Sequence, residues 1–167
     1  MVSECGLGAI LMKSNTLVKF DGAVLTKTLV RGCAMIEVIP NRLYLAREDV
    51  FNKVDMKKIS IVINLSSNPK LICPCGKYIN LRWNIGDNVE EKMFEALVRF
   101  CAGAIKAPKQ CLALIGHHDT VDVLAACVLR DYLGCATSIA LGMMWEKRPK
   151  CLTKPGLVET VEQYKIS

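Results

Sequence analysis

Residues 111–122 of this chain read CLALIGHHDTVD, and this stretch decides the fold that the sequence predicts. Its first five residues, 111–115, form a short apolar run that is typical of a strand buried on both faces of a parallel sheet. Residues 121–133 are mostly apolar and favour a helix that Gly134 would end. Residues 116–122 would be the turn between strand and helix. A strand that leads through a turn into a helix is the repeating unit of an α/β fold.

The same alternation of strands and helices continues on either side of this stretch. Apolar and β-branched runs separated by turn residues predict strands within residues 36–45, 59–65 and 77–83. Helical spacing of apolar residues predicts helices within residues 49–58, 89–107, 138–147 and 156–166. We therefore expect an α/β domain with a central, mostly parallel sheet of four or five strands flanked by helices.

The chain is predicted to form one domain with a short extension in front of it. Its 167 residues are 51% hydrophobic and 23% charged, which suits one core and argues against disorder. Residues 1–35 are weakly patterned, so we expect them to be an N-terminal extension that packs on a domain formed by residues 36–167.

Cysteine usage and hydropathy indicate where the chain resides. Nine cysteines are scattered through apolar segments, which predicts reduced thiols and a cytoplasmic or nuclear location. Cys73 and Cys75 form a close pair, but no second pair completes a zinc site at familiar spacing. No apolar run reaches the length of a membrane span, and the first residues lack a secretory signal, so a membrane role is not expected.

The net charge of +6 raises the question of a nucleic-acid partner. Basic residues are dispersed, and aromatic residues are only 6% of the chain, which leaves few for stacking on bases. The composition therefore favours a protein partner, an acidic or phosphorylated one included, and it argues against nucleic acid without excluding it. It does not determine the oligomeric state.

The predicted turn carries both histidines of the chain, His117 and His118. In open α/β sheets the ligand site lies at the carboxyl ends of the strands, and a helix N-terminus there normally attracts an anion. The candidate site residues are consecutive along the chain: Gly116, His117, His118, Asp119, Thr120, Val121, Asp122, Val123 and Leu124.

The order of segments resembles the dual-specificity branch of the protein tyrosine phosphatases. The resemblance runs from about residue 36 to residue 164 and implies that family's fold. It is carried by residues 39–45 (IPNRLYL), 59–65 (ISIVINL), 84–88 (NIGDN), 140–149 (ending Arg-Pro) and 155–164 (closing with Gln163 and Tyr164). Within NIGDN, Asp87 falls on the position of the family's general acid.

The family's catalytic motif, His-Cys-x-x-Gly-x-x-Arg-Ser/Thr, falls on residues 116–125 and is absent. The resemblance places the nucleophile at His117 or His118, and the register between these two stays open. The loop glycine then falls on Thr120 or Val121, and the phosphate-binding arginine on Val123 or Leu124. Asp119 and Asp122 would add negative charge where a phosphate binds, and Asp122 is expected to cap the next helix.

These losses imply a pseudophosphatase that binds or scaffolds a protein partner and has no catalytic residues. Asp87 would then be a vestigial general acid. His117, His118 and Asp119 could also be ligands of a metal, but neighbours in sequence rarely converge on one ion and no further histidine exists, so we expect neither metal nor cofactor. Two alternatives stay open: a residual or altered phosphohydrolase acting on phosphoproteins or RNA 5′-phosphates, and a structural subunit of a larger assembly.

Overall fold

The structure, a computed structural model, describes residues 11–12, 15–20, 23–27, 35–47, 58–66, 77–81, 83 and 91–165. The chain divides into two compact units, Met1–Cys33 and Ala34–Ser167. The first unit contains a three-stranded antiparallel sheet formed by β1 (Leu11–Met12), β2 (Asn15–Phe20) and β3 (Ala23–Lys27). The packing of residues 1–35 on the domain stays a prediction.

The second unit is built on a five-stranded sheet with the order β4-β5-β8-β6-β7. Its strands are β4 (Met35–Ile39), β5 (Leu43–Arg47), β6 (Ile61–Asn64), β7 (Lys77–Asn80) and β8 (Leu112–Gly116). Only β4 runs antiparallel to its neighbour, and the pairs β5–β8, β8–β6 and β6–β7 are parallel. This arrangement confirms the predicted α/β class with a mostly parallel sheet.

Four helices follow or separate these strands: α1 (Glu91–Lys106), α2 (His118–Leu133), α3 (Thr137–Lys147) and α4 (Leu157–Gln163). All four contribute to the larger hydrophobic core, which also takes alternate side chains of the central strands, such as Leu112 and Leu114. The opposite side chains, such as Ala113 and Ile115, form a smaller cluster on the other face. The predicted helix at residues 49–58 lies almost entirely outside the described residues. None of the described helices has the length and apolarity needed to cross a bilayer.

The predicted turn at residues 116–122 is wrong in its extent. Helix α2 begins at His118, three residues earlier than the apolar pattern indicated, so residues 118–122 are helical. The spacing of apolar residues cannot locate the start of a helix whose first turn is polar. Here the first turn contains Asp119, an acidic residue of the kind that the N-terminal end of the helix dipole favours.

Gly116 at the end of β8 is required by a close approach between neighbouring strands. A Cβ atom built at this position would lie 3.0 Å from Cβ of Leu65 and 3.5 Å from the backbone nitrogen of Ser66. Both of these residues are buried and follow β6, so they have little room to move. The absence of a side chain therefore lets β8 pass beside the end of β6 before the chain turns into α2.

The substitution Gly116→Ala should lower the free energy of unfolding by about 1–3 kcal/mol, because the added methyl group overpacks a rigid contact. Gly142→Ala in the middle of α3 is the matched control, since nothing lies within 4 Å of its would-be Cβ. That variant should instead gain about 0.5–1 kcal/mol from helix propensity. Urea denaturation of both variants measures the difference, and equal effects would contradict the close-approach argument.

Candidate functional site

The connection between β8 and α2 consists of one residue. β8 ends at Gly116, His117 has extended backbone angles (φ −62°, ψ 137°), and α2 begins at His118. The N–H of Val121 already donates to the carbonyl oxygen of His117 at 3.0 Å. A phosphate cradle needs several successive backbone N–H groups that turn towards one point, whereas here a single residue separates the strand from the helix.

The positions that the resemblance assigns to the loop glycine and the arginine lie inside the protein. Thr120 and Val121, the two candidates for the glycine, are buried in the first turn of α2. Val123 and Leu124, the two candidates for the arginine, have no exposed surface and belong to the larger core. These four side chains therefore stabilise the domain and do not face a ligand at the helix N-terminus.

Asp119 is held by three basic groups. Its carboxylate pairs with Nζ of Lys154, and Nε2 of His118 lies 3.2 Å from its Oδ1. Nδ1 of His117 lies 4.0 Å from its Oδ2. The side chain of Asp119 is only 10% exposed, whereas those of both histidines are close to half exposed. The carboxylate is thus largely enclosed, while both imidazoles are partly open to solvent.

Asp122 forms a second and more deeply buried ion pair. Its Oδ1 accepts a hydrogen bond from the guanidinium of Arg148, and its side chain is 1% exposed. Its Oδ2 has no hydrogen-bond partner within the part of the chain that the structure describes. Burial therefore raises the pKa of Asp122 to about 7, and the attraction of Arg148 offsets this effect only in part.

The expectation that Asp122 caps the helix is wrong. His117 is the N-cap residue, and no side chain makes the capping hydrogen bond. Asp122 lies one turn further into α2, where its carboxyl is directed to Arg148 instead of to the free N–H groups of the helix. The early helix start explains the difference, because a capping carboxyl must belong to the residue just before the first turn.

Lys154 and Arg148 are the site residues that sequence reasoning missed. They lie in the segments that follow α3, 35 and 26 residues from their partners Asp119 and Asp122. Two aspartates in a largely apolar helix signal that counterions are needed, because unpaired buried charges are costly. The sequence does not say which of its 22 lysines and arginines supply them.

A cysteine also lies close to this cluster. Burial and the neighbouring Asp122 carboxyl raise the pKa of the Cys151 thiol to about 11, so this group stays protonated near neutral pH. A protonated thiol is a poor nucleophile. Asp87, the predicted vestigial acid, lies outside the described residues, and its role stays a prediction.

Imidazole and carboxylate groups meet at the start of α2. The rings of His117 and His118 lie 4.2 Å apart between centroids. The potential ligand atoms of these two residues and of Asp119 all lie within 4.8 Å of one another. The pKa of His118 is lowered because partial burial outweighs the attraction of Asp119. The structure thus brings together three of the residues that the sequence singled out.

The free energy of unfolding should depend on pH through Asp122. The pKa of the Asp122 carboxyl group rises from 3.8 to about 7 on folding, so the folded state binds the proton of this group more tightly than the unfolded chain does. The contribution of protonated Asp122 to the free energy of unfolding is complete below pH ~4 and is lost as the pH rises through ~7. Asp122→Asn cannot ionise and should remove this decline, which urea denaturation at a series of pH values measures.

Glu162→Gln, at an exposed position of α4, is the control for this experiment and should keep the decline of the parent chain. If Asp122→Asn and the parent chain lose stability equally between these pH values, another group is responsible and the assignment to Asp122 is wrong.

Comparison with known proteins supports the fold. No protein family model and no curated protein sequence matches the chain. Among solved structures, human DUSP28 superposes with a TM-score of 0.62 at 17% identity, over 78% of this chain and 92% of that chain. A mouse putative dual specificity phosphatase, complexed with zinc tungstate, gives 0.61 at 15% identity, over 78% and 86%. DUSP15 gives 0.59 at 18%, over 77% and 85%. The chain therefore has the fold of the dual-specificity and protein tyrosine phosphatases.

Proposed function

We propose that this chain is a pseudophosphatase, a phosphatase-fold protein that has no catalytic activity and acts by binding or scaffolding a protein partner. One observation carries the proposal: the carboxylates of Asp119 and Asp122 lie near the start of α2, and each is paired with a cation, Lys154 or Arg148. The resemblance to the dual-specificity phosphatases places the substrate's phosphate at this end of the helix.

The chemistry of the family has no counterpart among these residues. Its mechanism needs a low-pKa thiolate that attacks phosphorus and an arginine that binds two phosphate oxygens. The candidate nucleophile positions are occupied by the imidazoles of His117 and His118. An aliphatic side chain, Val123 or Leu124, stands where the arginine would be, and it is buried. Single losses of this kind cost ~10²–10³ in rate, and here two coincide.

Electrostatics argues in the same direction. Among the described residues, Lys154 and Arg148 at the site are each paired with an internal aspartate, so neither cation is free to meet an incoming anion. A phosphate charge within ~4 Å of the Asp119 carboxylate would be repelled by roughly 4 kcal/mol per unit charge at the dielectric constant typical of a protein surface. This cost is comparable to what two hydrogen bonds to a charged group would return.

A binding role is supported by the composition and by apolar side chains that stay exposed. On α1 and α3 these include Met93, Phe100, Ile139 and Trp145, of which Ile139 is 56% exposed. Exposed aromatic and large aliphatic residues are typical of the centres of protein interfaces. With a net charge of +6, an acidic or phosphorylated protein is the proposed partner, and the nine cysteines favour the cytoplasm or nucleus. A stoichiometric protein recovered with the tagged chain from its native source tests this role.

The purified chain should not hydrolyse p-nitrophenyl phosphate, a phosphotyrosine peptide or a 5′-triphosphorylated RNA above the level of a His117→Ala/His118→Ala variant. Neither His117→Cys nor His118→Cys should create activity, because the arginine position is occupied by a buried aliphatic residue, Val123 or Leu124, and Arg148 is held by Asp122. Initial rates with both cysteine variants and the parent chain are the measurement. Turnover by the parent chain that survives loss of both histidines would contradict the proposal.

Neutralising the two carboxylates should restore affinity for an oxyanion. In Asp119→Asn/Asp122→Asn, Lys154 and Arg148 lose their internal partners and become available to an anion. We expect tungstate or sulfate to bind this variant at least about tenfold more tightly than the parent chain, as two released charge-assisted contacts would allow. Isothermal titration calorimetry measures this change. Glu159→Gln/Glu162→Gln makes the same charge change at exposed positions of α4 and is the control. An equal gain in the control would mean that net charge alone is responsible.

A further inference from the structure

We propose that His117, His118 and Asp119 form a binding site for one divalent transition-metal ion of the zinc class, with water completing its coordination. Nothing in the proposed function requires this site, and the proposal rests on the juxtaposition of three ligand groups within 4.8 Å. Two imidazoles and one carboxylate are a known ligand set for zinc in sites that keep an open position.

The distances are close to those that an ion needs. Zinc binds nitrogen and oxygen at 2.0–2.2 Å, so ligand atoms in a tetrahedral site lie roughly 3.3 Å apart. Nε2 of His118 and Oδ1 of Asp119 are already 3.2 Å apart, and Nδ1 of His117 is 4.0 Å from Oδ2 of Asp119. The two imidazoles are close to half exposed, so the packing around them leaves room for the side-chain rotation that shorter ligand distances need.

The backbone explains why neighbouring residues converge here. His117 has extended backbone angles, whereas His118 is the first residue of α2, so the chain changes direction between them. Their rings consequently lie side by side, 4.2 Å apart and inclined by 37°. In a continuous strand, successive side chains would point to opposite faces. The sequence-based objection that adjacent residues rarely share an ion therefore does not apply at this strand-to-helix corner.

Charge at the site selects the kind of ion and limits its affinity. Nitrogen ligands favour zinc and its transition-metal neighbours over calcium or magnesium, which prefer oxygen. The positive end of the helix dipole and the ammonium group of Lys154 both oppose a cation. Lys154 weakens ion binding more than the helix dipole does, because its ammonium group pairs with the Asp119 carboxylate that the ion must also bind. We therefore expect a dissociation constant in the micromolar range and competition between Lys154 and the metal.

The test is a titration of the full chain, prepared without a histidine tag, with Zn²⁺ and with Co²⁺. Calorimetry should show one zinc ion per chain. The Co²⁺ absorption spectrum should have the visible bands of nitrogen and oxygen ligands without the intense near-ultraviolet band of a thiolate, which separates this site from the nine cysteines. His117→Ala, His118→Ala and Asp119→Asn should each weaken binding at least about tenfold, because three-ligand sites depend on every ligand.

Lys154→Met gives the most specific result. It frees the carboxylate of Asp119 and should tighten zinc binding by roughly tenfold, in line with the loss of one neighbouring positive charge near the surface. Lys150→Met removes the same charge from an exposed position that forms no pair with Asp119 in the described structure, and it should change binding little. Equal effects of the two lysine variants, zinc binding that survives loss of both histidines, or binding by Lys154→Met but not by the parent chain would each overturn the proposal.

Discussion

The position of β8 is the constraint on which the rest of the domain depends. This strand is buried along its whole length, lies between β5 and β6 in parallel register and leads directly into α2. The absence of a side chain at Gly116 lets its end pass close to Leu65. Because the strand is central, α2 is forced into the interior, and every residue from Asp119 to Leu129 is buried. In a helix that is buried on all sides, polar residues are removed from water as fully as apolar ones are. Their charges are therefore costly unless they are paired.

The two ion pairs follow from this burial. Asp119 and Asp122 lie on a helix that cannot turn them to solvent, so each is stabilised by a cation from the segments beyond α3. A third basic residue acts in a similar way: the guanidinium of Arg130 donates to the carbonyl oxygens of Val161 and Tyr164 at the end of α4. Charged contacts thus join α2 to residues 148–164. For the most deeply buried pair, Asp122 with Arg148, removing one partner typically costs about 3–5 kcal/mol, because the other charge is left buried.

The fold and the site have separate physical requirements. The sheet and its helices need apolar side chains on the correct faces, and the chain has kept these at an identity of 17–18% to solved phosphatase structures. A phosphate site needs a loop of convergent N–H groups, a nucleophile and an arginine. Here a one-residue connection, two imidazoles and two neutralised carboxylates occupy that region. The function we propose therefore rests on the site and not on the fold.

The class of the fold and the identity of the residues at the carboxyl end of β8 follow from the amino-acid sequence alone. Buried strands and amphipathic helices leave a periodic pattern that can be read locally, as residues 59–65 and 111–115 show. The residue types at positions 116–124 are likewise visible without coordinates. For that reason the strand-to-helix unit and the residues it carries were predictable, while the role of Asp87 stays a prediction.

The surroundings of the site residues became known only from the coordinates. It placed the start of α2 at His118, buried Val123 in the core, and paired Asp119 with Lys154 and Asp122 with Arg148. The start of a helix cannot be predicted from apolar spacing when its first turn is polar. Ion pairs between residues 26–35 positions apart depend on how whole segments pack, and no local pattern encodes that distance. The convergence of His117 and His118 also required coordinates, because it arises from the change in backbone direction between two neighbouring residues.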